Sequence, residues 1–155
     1  MRRLYILRHA QAANAAEDFA RPLTASGIAD MKAMAVRLAE WGLRPDFVVC
    51  SPSKRTRMTL ESLLPGVAAQ FPERLYNAEA GTLYEAVKAA DDSYGSVMAI
   101  AHNPGIFNFM RFMAVPGPDV PFEYAPGTLT ILECPVERWA DLMPGRNRVL
   151  RVTAP

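Results

Sequence analysis

Residues 4–12 read LYILRHAQA. Four apolar residues, Leu4 to Leu7, run straight into a cation and an imidazole, Arg8 and His9. A run this short, rich in strand formers and apolar at consecutive positions, has no polar face to turn towards water. It predicts a strand buried on both faces, as in a parallel sheet, with the polar pair at its carboxyl end. Two later stretches have the same form, DFVVCS at 46–51 and SVMAIAH at 96–102, and the second again ends on a histidine.

Helical spacing fills the intervals. Thr24 can cap a helix in which Ile28, Met31, Met34, Ala35, Leu38 and Trp41 share one side, with Gly42 as its stop. A second helix is expected after Pro52 through about Leu64, a third over TLYEAVKAAD (82–91) and a fourth over PGIFNFMRFMAV (104–115), where Pro104 occupies a tolerated N-terminal position. A weaker strand is expected near RLYNA (74–78), and GTLTILEC (127–134) and RVLRVT (148–153) supply two closing strands. Strand and helix alternate, so the fold class is α/β: a three-layer α/β/α sandwich with a largely parallel central sheet and an antiparallel edge. Residues 115–127 are rich in proline and glycine, but the 28 residues beyond them are too few for a domain. One domain over residues 1–155 is therefore expected.

Seventeen basic and sixteen acidic residues leave a net charge of +1, without the electrostatic footprint of a nucleic-acid binder. Arg146, Arg148 and Arg151 read as a solvated strand face. Arg8 interrupts the apolar opening well before a signal segment or membrane span could form, so a cytoplasmic protein with no membrane partner is expected. Cys50 and Cys134 lack metal-ligand spacing and read as buried thiols, with no metal or cofactor called for.

Ligands of open α/β sheets bind beyond the carboxyl ends of the strands. The chain has only two histidines, His9 and His102, and each closes a strongly apolar strand. Ser51 ends another, and four residues on, in the first turn of the next helix, comes Arg55. Each residue alone has an ordinary structural explanation. Together, Arg8, His9, Arg55 and His102 make a cationic pocket, and burying like charges is costly unless an anion neutralises them. Guanidinium forks match phosphate oxygens, so a phosphoryl group is the natural guest and a carboxylate the second choice. The helix starting near Pro104 could add backbone donors.

Four segments, LRHA (7–10), RPLTASG (21–27), SPSKRTRMT (51–59) and AHNPG (101–105), together resemble the histidine phosphatase superfamily, and within it the small SixA-type phosphohistidine phosphatases. The resemblance extends over essentially the whole chain and implies a phosphoglycerate mutase-like fold. It implies a hydrolase in which neutral His9 attacks phosphorus and is transiently phosphorylated, while Arg8, Arg55 and His102 hold the oxygens. Asn103 and Arg21 join them as phosphate contacts, Arg21 reaching in from the long first loop or serving as a surface ion-pair residue. Inorganic phosphate is the product, no metal is needed, and a role in signal transduction follows. The implied partner is a protein bearing phosphohistidine, or else a small phosphate ester, for which Glu79 would serve as acid. SixA-type enzymes manage without that acid, so Glu79 is either the proton donor or an exposed loop residue. Ala10 stands where the superfamily often has glycine.

A cysteine-dependent phosphatase needs arginine six positions after the cysteine, and from Cys50 that position is Thr56. No Walker lysine loop or dinucleotide glycine fingerprint follows the first strand. A non-catalytic phospho-ligand module could use the same pocket, but it has no need of a nucleophile at position 9.

Overall fold

The computed structural model describes residues 1–155. Alternate side chains of the apolar strands enter two different cores. Leu4 and Ile6 of strand β1 (Arg2–Arg8) pack with one cluster and Tyr5 and Leu7 with the other, and all four are buried. Strands β2 (Phe47–Cys50) and β4 (Ser96–Ala101) divide their side chains in the same way. Helices α1 (Ala25–Glu40) and α2 (Lys54–Leu63) cover one face, with Met31, Met34, Leu38, Leu60 and Leu63 in the second cluster. Helices α3 (Ala80–Lys88) and α4 (Gly105–Met113) cover the other, with Leu83, Val87, Ile106, Phe109 and Met110 in the first. The result is the expected α/β/α sandwich. No helix is long and apolar enough to cross a membrane.

With β3 (Ala68–Gln70), β5 (Leu129–Cys134) and β6 (Arg148–Thr153), the sheet has the order β3-β2-β4-β1-β5-β6. The first four in that order are parallel, β5 pairs antiparallel with β1 and β6 antiparallel with β5, the antiparallel edge that the sequence pattern implied. Adjacent β1 and β4 feed α1 and α4, which lie on opposite faces. This is the switch point at which open α/β sheets form their crevice. The parallel register opposes Arg8 to Ala101 and Cys50 to Ile100, so the residues that follow, His9, Ser51 and His102, emerge side by side.

Capping follows the sequence. The Thr24 hydroxyl accepts from Gly27 N at 3.0 Å, and Gly42 ends α1 with φ +65. Ser53 caps α2 by accepting from Thr56 N. The third strand differs from the expectation. RLYNA forms a 3-10 turn at Glu73–Leu75, and the strand lies earlier, at Ala68–Gln70. The apolar spacing of Leu75 and Ala78 records burial in a turn, and Asn77 at φ +50 breaks any extended run. The true third strand is a short edge strand with two of its three residues exposed, so it carries no apolar alternation to detect.

Two glycines permit backbone contacts that shape the crevice. A Cβ on Gly27 would lie 2.4 Å from Gln11 O, and one on Gly105 would lie 1.8 Å from Ala78 O. The first brings α1 against the first loop, and the second packs the turn before α3 onto the start of α4. Gly105→Ala is expected to cost roughly 1–3 kcal/mol or more as overpacking against rigid backbone. Urea denaturation measures this, and an unchanged midpoint would contradict the close approach.

Candidate active site

The two imidazoles meet, with ring centroids 5.4 Å apart and planes inclined by 57°. His9 continues the sheet for one residue, its N–H donating to Ala101 O at 3.1 Å. Its Nδ1 lies 2.7 Å from Ala10 O, so Nδ1 carries the proton and Nε2 keeps its lone pair. His102 Nε2 lies 2.6 Å from Ser51 Oγ, which has no other hydrogen bond. A hydroxyl donating there leaves the His102 proton on Nδ1. Burial, reinforced by nearby guanidiniums, lowers the pKa of His9 to about 4 and that of His102 to about 3. At neutral pH both rings are uncharged.

The guanidiniums are held by their outer ends. Arg8 Nη1 donates to Tyr124 O at 2.8 Å, and Tyr124 is itself fixed by its hydroxyl donating to Ile6 O at 2.8 Å. Arg55 Nη1 donates to Asp18 O at 2.8 Å and Nη2 to Asp18 Oδ2 at 3.2 Å. Arg55 is buried because α2 packs its first turn under the end of β1, where Thr59 Oγ1 receives Ala10 N and donates to Arg55 O. In both arginines Nε is buried and unpartnered, as are His102 Nδ1 and Asn103 Oδ1. Only one other buried side-chain polar atom lacks a partner, Asn147 Oδ1, whose amide nitrogen bonds the Met113 and Met143 carbonyls elsewhere. Orphaned buried polar atoms are costly and rare. Three of the four, Arg8 Nε, Arg55 Nε and His102 Nδ1, can donate, and three such donors in one pocket mark a place where an anion would be bound.

The cavity between these groups is roughly 410 Å³ and is lined by Arg8, His9, Arg21, Arg55, His102 and Asn103, among others. The first loop brings Arg21 to it, with Nε donating to Ala13 O at 3.0 Å. Asn103 Nδ2 donates to Tyr124 O at 3.0 Å. Glu79 is placed differently. It is exposed at the start of α3 and lines an adjoining cavity of roughly 570 Å³, which shares Asn77, His102 and Asn103 with the cationic one. Three supporting residues gave no signal in the sequence: Asp18, Tyr76, whose ring meets His102 edge-on at 5.6 Å, and Tyr124. Each acts through a loop backbone or a fold contact that no local pattern encodes. Cys50 and Cys134 are free and buried, and burial pushes both thiols up to about 12, which leaves them unreactive.

Residues 4–104 match the histidine phosphatase superfamily (branch 1). The chain belongs to that superfamily. As a histidine phosphatase it is a hydrolase, and its likeness within the superfamily is to SixA-type proteins. It is 32% identical over 108 residues to the phosphohistidine phosphatase SixA of Escherichia coli K12, covering 65% of this chain and 67% of that protein. Two solved structures from Nakamurella multipartitia and Agrobacterium tumefaciens carry the SixA name provisionally. The first superposes with a TM-score of 0.89 at 26% identity, over 99% of this chain and 96% of that one. The second has a TM-score of 0.80 at 29% identity and covers 99% of each.

The pKa depressions have a measurable consequence for this histidine phosphatase. An unfolded imidazole takes up its proton near pH 6.5, whereas folded His9 and His102 do so near 4 and 3. The unfolded state therefore binds more protons below pH 6.5, and stability falls as pH drops from there towards 4. Above 6.5 the pair contributes no pH dependence. Ring resonances followed by NMR are expected to titrate below pH 5, and titration near 6.5 would refute the burial argument.

Proposed function

We propose that this phosphatase hydrolyses phosphohistidine in a protein, passing the phosphoryl group through His9. The observation that carries the reading is the set of unpartnered donors on Arg8, Arg55 and His102 around an imidazole whose Nε2 is free. The name of the Escherichia coli relative, a phosphohistidine phosphatase, supports the substrate class.

In the first step the His9 Nε2 lone pair forms a bond to phosphorus, and the bond from phosphorus to the substrate imidazole breaks. Its electron pair leaves on that nitrogen, while the proton on the substrate ring's other nitrogen makes the leaving group neutral. The phosphoryl group spreads charge over its equatorial oxygens in the transition state. The donors for that charge are the Nε edges of Arg8 and Arg55 and Nδ1–H of His102, already desolvated and fixed by their other bonds. Phosphorylated His9 is an imidazolium whose Nδ1–H still donates to Ala10 O. In the second step water attacks phosphorus, the bond to Nε2 breaks, His9 regains its lone pair, and a proton passes from the water to phosphate or solvent. An imidazole leaves in both steps, so neither needs a carboxylic acid. That agrees with the position of Glu79 outside the cationic cavity. The reading carries a cytoplasmic, signal-transducing role with it.

One observation favours a second reading. Glu79 lines a cavity contiguous with the site, where it could protonate the alkoxide of a small phosphate ester. A non-catalytic module holding a phospho-ligand would need neither Glu79 nor a free nucleophile on His9.

Two measurements separate these readings. Turnover quenched in base should leave phosphate on His9 and none in His9→Ala; phosphate on another residue would sink the mechanism, and no release from either an aryl phosphate or a phosphohistidine peptide would favour the binding module. Glu79→Gln should keep kcat/KM for phosphohistidine within about threefold, whereas an acid's loss on esters is on the order of a hundredfold or more. A comparable loss on both substrates would remove the distinction on which the phosphohistidine reading relies.

A further inference from the structure

One carboxylate lines the cationic cavity: Asp18, on the 3-10 turn Asp18–Ala20 of the first loop. It meets the site at four points. Its backbone carbonyl and Oδ2 grip the two terminal nitrogens of Arg55, at 2.8 and 3.2 Å. Its Oδ1 lies 3.4 Å from Arg21 Nη1, and the Tyr76 hydroxyl donates to Oδ2. Tyr76 in turn meets Phe19 edge-on at 5.1 Å and His102 edge-on at 5.6 Å. The Tyr76 hydrogen bond, followed by the Arg55 guanidinium, keeps the Asp18 carboxyl at about 2, so it is ionised at any working pH.

A negative charge in an anion pocket opposes the anion, and a site built for phosphate affinity alone would exclude it. What the charge supplies is orientation. A guanidinium gripped at both terminal nitrogens has its plane fixed, and with it the direction of its remaining, unpartnered Nε–H. Without the grip, Arg55 would be repelled by Arg8 and Arg21 and would have rotamer freedom to lose each time phosphate bound.

We propose that Asp18, braced by Tyr76, is the positioning residue of the phosphoryl site, lowering affinity for the ground-state anion while fixing the Arg55 Nε edge for the transition state. The inference rests on the proposed role of Arg55 in phosphoryl transfer. It adds a residue that touches neither phosphorus nor its oxygens.

The test compares Asp18→Asn, Tyr76→Phe, Arg55→Ala and the Asp18→Asn/Arg55→Ala double variant. Readouts are kcat and KM on an aryl phosphate, inorganic phosphate affinity by calorimetry, and the thermal midpoint. Asp18→Asn is expected to lower kcat about ten- to hundredfold, the scale of a misplaced catalytic group, while phosphate binds at least as tightly as to the parent. In the Arg55→Ala background the same substitution should change kcat less than about twofold, since coupled residues are not additive. Tyr76→Phe keeps the charge and should lower kcat by a smaller factor in the same direction. It also serves as the probe if Asp18→Asn does not fold. Unchanged kcat in either single variant, multiplicative losses in the double variant, or a fall in phosphate affinity matching the fall in kcat would each overturn the proposal. A parent protein that turns over no phosphate substrate would fail the reading of the site instead. Phosphate calorimetry would still judge Asp18, because removing its charge must not weaken binding.

Discussion

The site depends first on a register. Parallel pairing of β1 with β4 opposes Arg8 to Ala101, and this alone puts His9 and His102 at neighbouring strand ends although 93 residues separate them in sequence. A slip of one residue would turn every side chain of β1 to the other face and exchange two buried apolar sets. Both faces of β1 are fully packed, Leu4 and Ile6 against one helical layer and Tyr5 and Leu7 against the other, so hydrophobic burial enforces the chemical alignment. The antiparallel side adds a second restraint. Arg8 N donates to Thr128 O at 3.1 Å, and Gly127 N lies within bonding distance of the Arg8 and His9 carbonyls, which closes the backbone just before the functional pair emerges.

Much of this was legible. Strands β1, β2 and β4 are buried on both faces, which writes them as continuous apolar runs bounded by polar residues, and the first residue past each strand is the informative one. The helix cap at Thr24 is local chemistry and could be read as such. Segments held by tertiary contact were not legible. The edge strand β3 has little burial and no pattern, and RLYNA borrowed the appearance of a strand from two residues buried for other reasons. His9, His102, Arg8 and Arg55 stand at positions that topology defines, so their meeting at one cavity was legible from spacing. Asp18, Tyr76 and Tyr124 reach the site from loops whose paths depend on the finished fold.

Charge explains why those loop residues matter. Arg8 and Arg55 must come close to one another out of bulk water, and each could escape by swinging its flexible end outwards. Both are prevented by bonds to the terminal nitrogens, and in both the acceptors come from a loop that sequence periodicity does not describe. Neutral histidines reduce the conflict. At ordinary pKa values part of the imidazole population would be protonated at neutral pH and would add repulsion; the depressed values remove it. The same depression keeps a lone pair on His9 Nε2, so a feature that eases the electrostatics also leaves that nitrogen free for the attack the proposed mechanism asks of it.

The two arginine anchors differ in a way that sets the charge of the pocket. Tyr124 holds Arg8 through a neutral carbonyl and leaves its charge uncompensated, whereas Asp18 meets Arg55 and Arg21 with one full negative charge. Three guanidiniums less one carboxylate, with both imidazoles neutral, leave the lining near +2. A phosphoryl group at neutral pH carries about −1.5 to −2, so lining and guest come close to cancelling when it is bound. A carboxylate ligand would leave the pocket under-neutralised by one charge. Charge match therefore favours the phosphoryl group over the carboxylate that the sequence left open as the second choice.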